Sequence, residues 1–162
     1  MARQTAVMVD GTTRTSETGA VLNLGGIIPV KIAAATLTAA DNGAVCEFNL
    51  AAGYTYTLPA VERGLKFRFV VTVTVTSSVA RVACATGDFF FGTLMQGSDT
   101  TYLPVARDAN GTTHLAWEGN GTTTGGIKGD WFDIVGLNDT MWLVSAGLIG
   151  GSGTEATPWK TS

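Results

Sequence analysis

Side-chain chemistry needs partners, and the residues able to supply it are few and scattered in this chain. His114 is the single histidine, which rules out a His-rich metal site and leaves one candidate imidazole base. It falls in an alternating apolar and polar run, where an exposed strand face accounts for it. Cys46 and Cys84 are far from any Cys-x-x-Cys spacing and sit on apolar faces of strand-like runs. Buried thiols are the expectation, with a disulfide between them left open. No serine stands in a Gly-x-Ser-x-Gly elbow, so nucleophilic catalysis has no visible constellation. Carboxylates occur in pairs at Asp130 and Asp133 and at Asp41 and Glu47. A glycosidase needs such a pair at a working separation of roughly 5 to 9.5 Å, which the sequence does not fix.

Two glycine-rich stretches imitate ligand loops. Residues 119–126 (GNGTTTGG) carry the glycines of a phosphate cradle but have strand-like flanks instead of a helix, and no lysine. A flexible loop is expected there. Asp108-Ala109-Asn110-Gly111 matches only the opening of a calcium loop, the other ligand positions being absent, so it reads as a turn. Asn110, Asn120 and Asn138 each open an Asn-x-Thr triplet, a glycan acceptor in an exported eukaryotic chain and otherwise a turn signal. The N-terminal residues lack the continuous apolar core of a secretory leader, so turns are expected. The expectation is a protein that is not an enzyme and carries no cofactor and no metal.

The elements that would position these residues are strands. Of 162 residues, 45% are hydrophobic, only 14% are charged and 21 are glycine, a balance that fills one core and favours strands and turns over helices. A net charge of -3 with dispersed Lys and Arg argues against nucleic acid as a partner. No run reaches the roughly 18 apolar residues of a membrane span, and a protein made and kept in the cytoplasm is expected. From Leu65 to Thr76 apolar and polar residues alternate with a period of two, which predicts a long strand. Shorter alternating runs precede it at 44–50 and 54–58 and follow it at 80–84, 88–96 and 113–118. Residues 97–111 are expected to be loop. Turn signals about every ten residues predict a single antiparallel β-sandwich or jelly-roll-like barrel over residues 28–149. The last two runs, 129–137 and 140–146, form a hairpin about Asn138-Asp139. Both of its faces are apolar: Phe132, Ile134, Trp142 and Val144 on one, Trp131, Val135, Met141 and Leu143 on the other. A sheet wet on one side has no need of this, so either the arm or another subunit is expected to cover it, and the second set is the candidate oligomer interface.

Residues 1–27 show no sustained alternation and are expected to be an extended arm, with a reach of about 90 Å at roughly 3.3 Å per residue. Its Arg3, Val7, Val9, Arg14, Val21 and Leu22 are the expected contacts with a partner surface. Residues 150–162 are expected to be a flexible tail in which Trp159 is the one candidate anchor.

Three stretches carry a family resemblance: Leu37-Thr38-Ala39-Ala40-Asp41-Asn42-Gly43, residues 51–69 (AAGYTYTLPAVERGLKFRF) and residues 129–146 (GDWFDIVGLNDTMWLVSA). From about residue 36 to 149 the chain resembles bacteriophage capsid decoration, or cement, proteins and related tail-associated β-domains. The matching positions are largely structural, namely turn glycines, the Leu58-Pro59 stop and the two-Trp hairpin, and no catalytic residues come with them. Leu137-Asn138-Asp139-Thr140 stands where that family usually has an Asp-Gly turn. The resemblance implies a homotrimer on the outer capsid surface of a virion. Its arms would grip the major capsid protein, with no nucleic acid, membrane or small-molecule substrate involved. A tail or fibre component binding a receptor or carbohydrate is the alternative, marked by exposed Trp, Tyr and Asn around residues 97–126.

Overall fold

An alternating run fixes which side chains share a face but not which strand lies beside it, so pairing is the first thing the structure adds. The structure is a computed structural model that describes residues 30–99 and 103–162. It also describes the backbone of β1 (Arg14–Thr15) and β2 (Val21–Leu22), which pair antiparallel. Arg3, Val7 and Val9 lie outside the described residues, and of Arg14, Val21 and Leu22 only the backbone is described. The strands that follow are β3 (Val30–Lys31), β4 (Ala35–Thr36), β5 (Val45–Phe48), β6 (Thr55–Thr57), β7 (Lys66–Val71) and β8 (Ala80–Ala83). After them come β9 (Phe89–Gln96), β10 (Val105–Asn110), β11 (Ala116–Gly119), β12 (Trp131–Gly136), β13 (Met141–Ile149) and β14 (Trp159–Lys160). A short 3-10 turn, Ala39–Asp41, links β4 to β5.

Two sheets pack face to face as a β-sandwich. The large sheet has the order β10-β9-β13-β12-β7-β5-β3 and the small one β14-β11-β8-β6-β4. The sandwich is the expected architecture, but its sheets are mixed where antiparallel ones were expected, and the described strands do not close into a barrel. From β3 to β8 the chain alternates between sheets, laying β3, β5 and β7 parallel in one and β4, β6 and β8 parallel in the other. That half is a short two-sided coil. The second half returns antiparallel, β11 against β8 and β12 against β7, and continues the large sheet with β13, β9 and β10.

Several expected boundaries move for a physical reason. The run from Leu65 to Thr76 is a strand only as far as Val71. The amides of Thr72 and Val73 then both donate to the Phe48 carbonyl, at 3.0 and 3.2 Å, as the chain crosses between sheets. Val75 is buried during the crossing, which keeps the period of two without a ladder. Residues 105–110, expected as loop, pair with β9 as the edge strand β10. The core joins the two halves through aromatic rings: Phe48 of the coil lies 5.2 Å from Tyr56 and 6.1 Å from Trp117, while Phe132 lies 4.9 Å from Trp117 and 5.1 Å from Phe69.

The C-terminal segment is not a free tail with an anchor. Trp159 is 3% exposed, pairs with Trp117 as part of β14, lies 5.3 Å from the Phe90 ring and donates its Nε1–H to the Arg107 carbonyl at 2.9 Å. The edge of β11 supplies a ladder and Arg107 an acceptor, so the indole is satisfied inside its own chain. The loop 119–126 is likewise held rather than loose. Asn120 Oδ1 accepts from the amides of Thr122 and Thr124 at 2.9 and 3.2 Å, and Thr124 is buried.

Candidate interaction surface

Residues that are register partners in neighbouring strands stand side by side on one face of a sheet. On the outer face of the large sheet they form three rows. The first runs Phe91–Leu143–Val135 across β9, β13 and β12, with Met141 beside it, and ends on Asn110 of β10 and Lys66 of β7. The third runs Met95–Leu148–Trp131–Val70 from β9 to β7 and ends on Glu47 of β5. Between them the second row is polar, with Asp108 and Thr93 on β10 and β9, Ala146 on β13, and Asp133 and Arg68 on β12 and β7. Phe91, Met95 and Leu148 are 42%, 38% and 51% exposed, and the four expected interface residues, Trp131, Val135, Met141 and Leu143, are half-buried on the same surface.

The structure therefore brings those four together and adds three that sequence reasoning missed. Phe91 and Met95 were legible in the run DFFFGTLMQ, where both faces are apolar. Leu148 was not, because it is five positions from Leu143, and an odd spacing puts two residues on opposite faces of a regular strand. The register of β13 against β12 shifts after Asp133, skipping Ser145, and this β-bulge returns Leu148 to the outer face.

The charges of the middle row are partnered within the chain. Arg68 Nε and Nη2 donate to the two carboxylate oxygens of Asp133, each at 2.6 Å, and the guanidinium lies 5.2 Å from the centre of the Trp131 ring. Thr93 donates to Asp108 at 2.6 Å. A shallow depression bordered by Gly43, Lys66, Arg68, Asp133, Val135 and Ser145 lies beside this pair. The outer face of the small sheet differs in kind. Its rows are Thr36–Thr57–Ala83–Ala116–Lys160 and Thr55–Arg81–Glu118, with no large apolar residue in either and with Arg81 paired to Glu118.

The residues that suggested chemistry are spread over structural tasks. His114 is half-buried in the turn after β10, where an exposed strand face was expected; its Nδ1 accepts from the Asn110 amide at 3.1 Å and its ring stacks 6.3 Å from Trp159. Cys46 and Cys84 are both free thiols. Burial, aided by the charge of Asp41, pushes Cys46 up to about 12, and burial raises Cys84 too, so neither is a ready nucleophile. Asp130 and Asp133 do not form a working pair. Asp130 is buried and accepts from the amides of Gly150 and Ile127 at 2.7 and 3.0 Å, whereas Asp133 is engaged by Arg68 on the outer face. Asp41 is tied to Lys31 Nζ at 2.6 Å and to Thr38. Each Asn-x-Thr triplet forms a turn in which Asn110, Asn120 or Asn138 accepts from the amide two residues on. Among the described residues, no three His, Cys, Asp or Glu side chains converge to hold a metal ion, and no helix is long and apolar enough to cross a membrane.

No family model, characterised protein or solved structure matches this chain.

Proposed function

We propose that the protein is a decoration protein of a bacteriophage head, which binds the outer surface of the shell and stabilises contacts between major capsid protein subunits without catalysing a reaction. The sidedness of the sandwich carries this reading. One outer face carries two rows of large apolar residues and the other carries none, a division suited to a body that is assembled rather than one that turns over a substrate. The segment 1–27 precedes β3, an edge strand of the apolar sheet, and in this reading it is the arm that reaches the shell. In this reading Arg3, Val7, Val9, Arg14, Val21 and Leu22 meet the major capsid protein. Several weak arm contacts from one assembled unit combine through effective concentration into firm attachment. The sequence resemblance supports the same role.

A tail or fibre component binding carbohydrate is less well supported. It calls for exposed aromatics around residues 97–126, and Trp117 in that stretch is wholly buried. Gold-labelled antibody against the protein, viewed on virions of the phage that encodes it, is expected to decorate the head. Label confined to the tail, or none on intact virions, overturns the proposal. Deleting residues 1–27 is expected to leave the domain folded while abolishing its co-sedimentation with heads.

A further inference from the structure

We infer that the outer face of the large sheet is covered by the same face of a second copy of this chain, in a two-fold pair. The inference goes beyond the proposed function, since it concerns how the body assembles and holds at any place in a virion.

Three observations converge on a second copy as the occupant. The first is the order of the rows. An apolar row, a polar row and an apolar row map onto themselves when the face is turned over about a two-fold axis lying in its plane. Phe91, Leu143 and Val135 then meet an apolar row of the partner, and Arg68 and Asp133 meet the partner's polar row. A closed two-fold contact requires this self-complementarity; an unrelated partner would not.

The second observation is charge. A charge buried in an interface is costly unless it is already paired. Arg68 and Asp133 satisfy each other through two 2.6 Å hydrogen bonds, and Asp108 accepts from Thr93. The Arg68–Asp133 pair at the centre of the contact can therefore be covered without waiting for a partner of opposite sign, while the remaining charges lie towards its margins: Asp108 on the edge strand β10, and Lys66 and Glu47 at the far ends of the two apolar rows.

The third is size. The nine residues of β13 extend about 30 Å, and the five strands from β10 to β7 span roughly 24 Å. The other four strands have six or eight residues, so the projected area is on the order of 550 Å², near the lower end of the roughly 600–1,000 Å² per partner of a stable interface. A face laid on its own copy about a two-fold axis is used up by one partner. The geometry thus points to pairs, not to the trimer that the family resemblance implies.

The test uses the full chain in analytical ultracentrifugation over a concentration series, with far-UV circular dichroism of every variant. The wild type is expected at twice the 16.8 kDa chain mass. Leu148→Lys and Phe91→Lys, one in each apolar row, are expected to sediment as monomers, because lysine at an exposed strand position is compatible with the fold but not with burial in the pair. Thr57→Lys, on the outer face of the small sheet, is expected to leave the pair intact. The milder Met95→Ala is expected to weaken pairing by about tenfold or more, which keeps the test valid if a lysine variant loses its circular dichroism. A wild type that is monomeric at 100 µM, a trimer, or lysine variants that keep the wild-type mass each overturn the inference. Head binding is measured separately. Monomeric variants that still co-sediment with heads, through their arms, leave the decoration reading in place whatever becomes of the pair.

Discussion

Asparagine and glycine do structural work here that would pass for ligand chemistry in a sequence. At residues 120–125 the Asn120 side chain takes two backbone amides, and the Gly121 amide donates to the Gly125 carbonyl at 2.7 Å. Gly121 has φ +78°, and a Cβ there would stand 1.7 Å from the Val75 carbonyl oxygen, whereas Gly64, at φ +89°, has nothing within 4 Å of its Cβ position. Gly64→Ala should cost only the strain of a left-handed residue, about 1–2 kcal/mol. Gly121→Ala adds a backbone collision and should cost more than about 3 kcal/mol; equal urea midpoints for the two variants would refute the close approach. Asp130 gives a pH prediction. Burial holds its carboxyl above the ordinary 3.8, against the pull of the Ile127 and Gly150 amides. A carboxyl raised on folding contributes stability that is complete below its unfolded value and is lost as pH climbs through the folded one. The advantage of the wild type over Asp130→Asn should therefore shrink as pH rises above the ordinary 3.8, a trend that urea titrations at successive pH values will show or deny.

At the scale of elements, the edges decide what the chain ends do. The small sheet ends at β14, where Trp159 packs on Phe90 and His114 and spans to the Arg107 carbonyl of β10, the edge strand of the large sheet. One indole thus ties the two edges on that side of the sandwich. Trp159→Ala should lower unfolding stability by about 3–5 kcal/mol, read as a fall in the urea midpoint; a change under about 1 kcal/mol would restore the picture of a loose tail. Periodicity in the sequence was a sound guide to faces, since β5, β6, β8 and the doubly apolar hairpin of β12 and β13 were all visible in it. Direction was not, because the turns at 51–53 and 62–64 have the same composition whether they close a hairpin or carry the chain to the opposite sheet. Trp159 and Leu148 were misread or missed for related reasons. A two-residue strand has no period to detect, and the bulge at Ser145 shifts the period by one.

For the whole molecule, the question is whether the coil of β3 to β8 is a folding unit that the second half decorates, or half of a single one. Its last strands are paired on one side by their own coil and on the other by β12 and β11. Its rings Phe48 and Phe69 lie against Trp117 and Phe132 of the second half. Without that half, β7 and β8 become open edges and the inner faces of both sheets lose their largest partners. Parallel strands joined across sheets also demand long loop closures before any ladder repays them. A fragment of residues 30–88 should therefore show no cooperative unfolding transition and little amide protection against hydrogen exchange, while residues 28–162 should unfold in a single step. Protection of β5 and β7 amides in the fragment would mean instead that the coil stands alone. The aromatic contacts argue otherwise, because the rings that close the core come in equal measure from both halves of the chain.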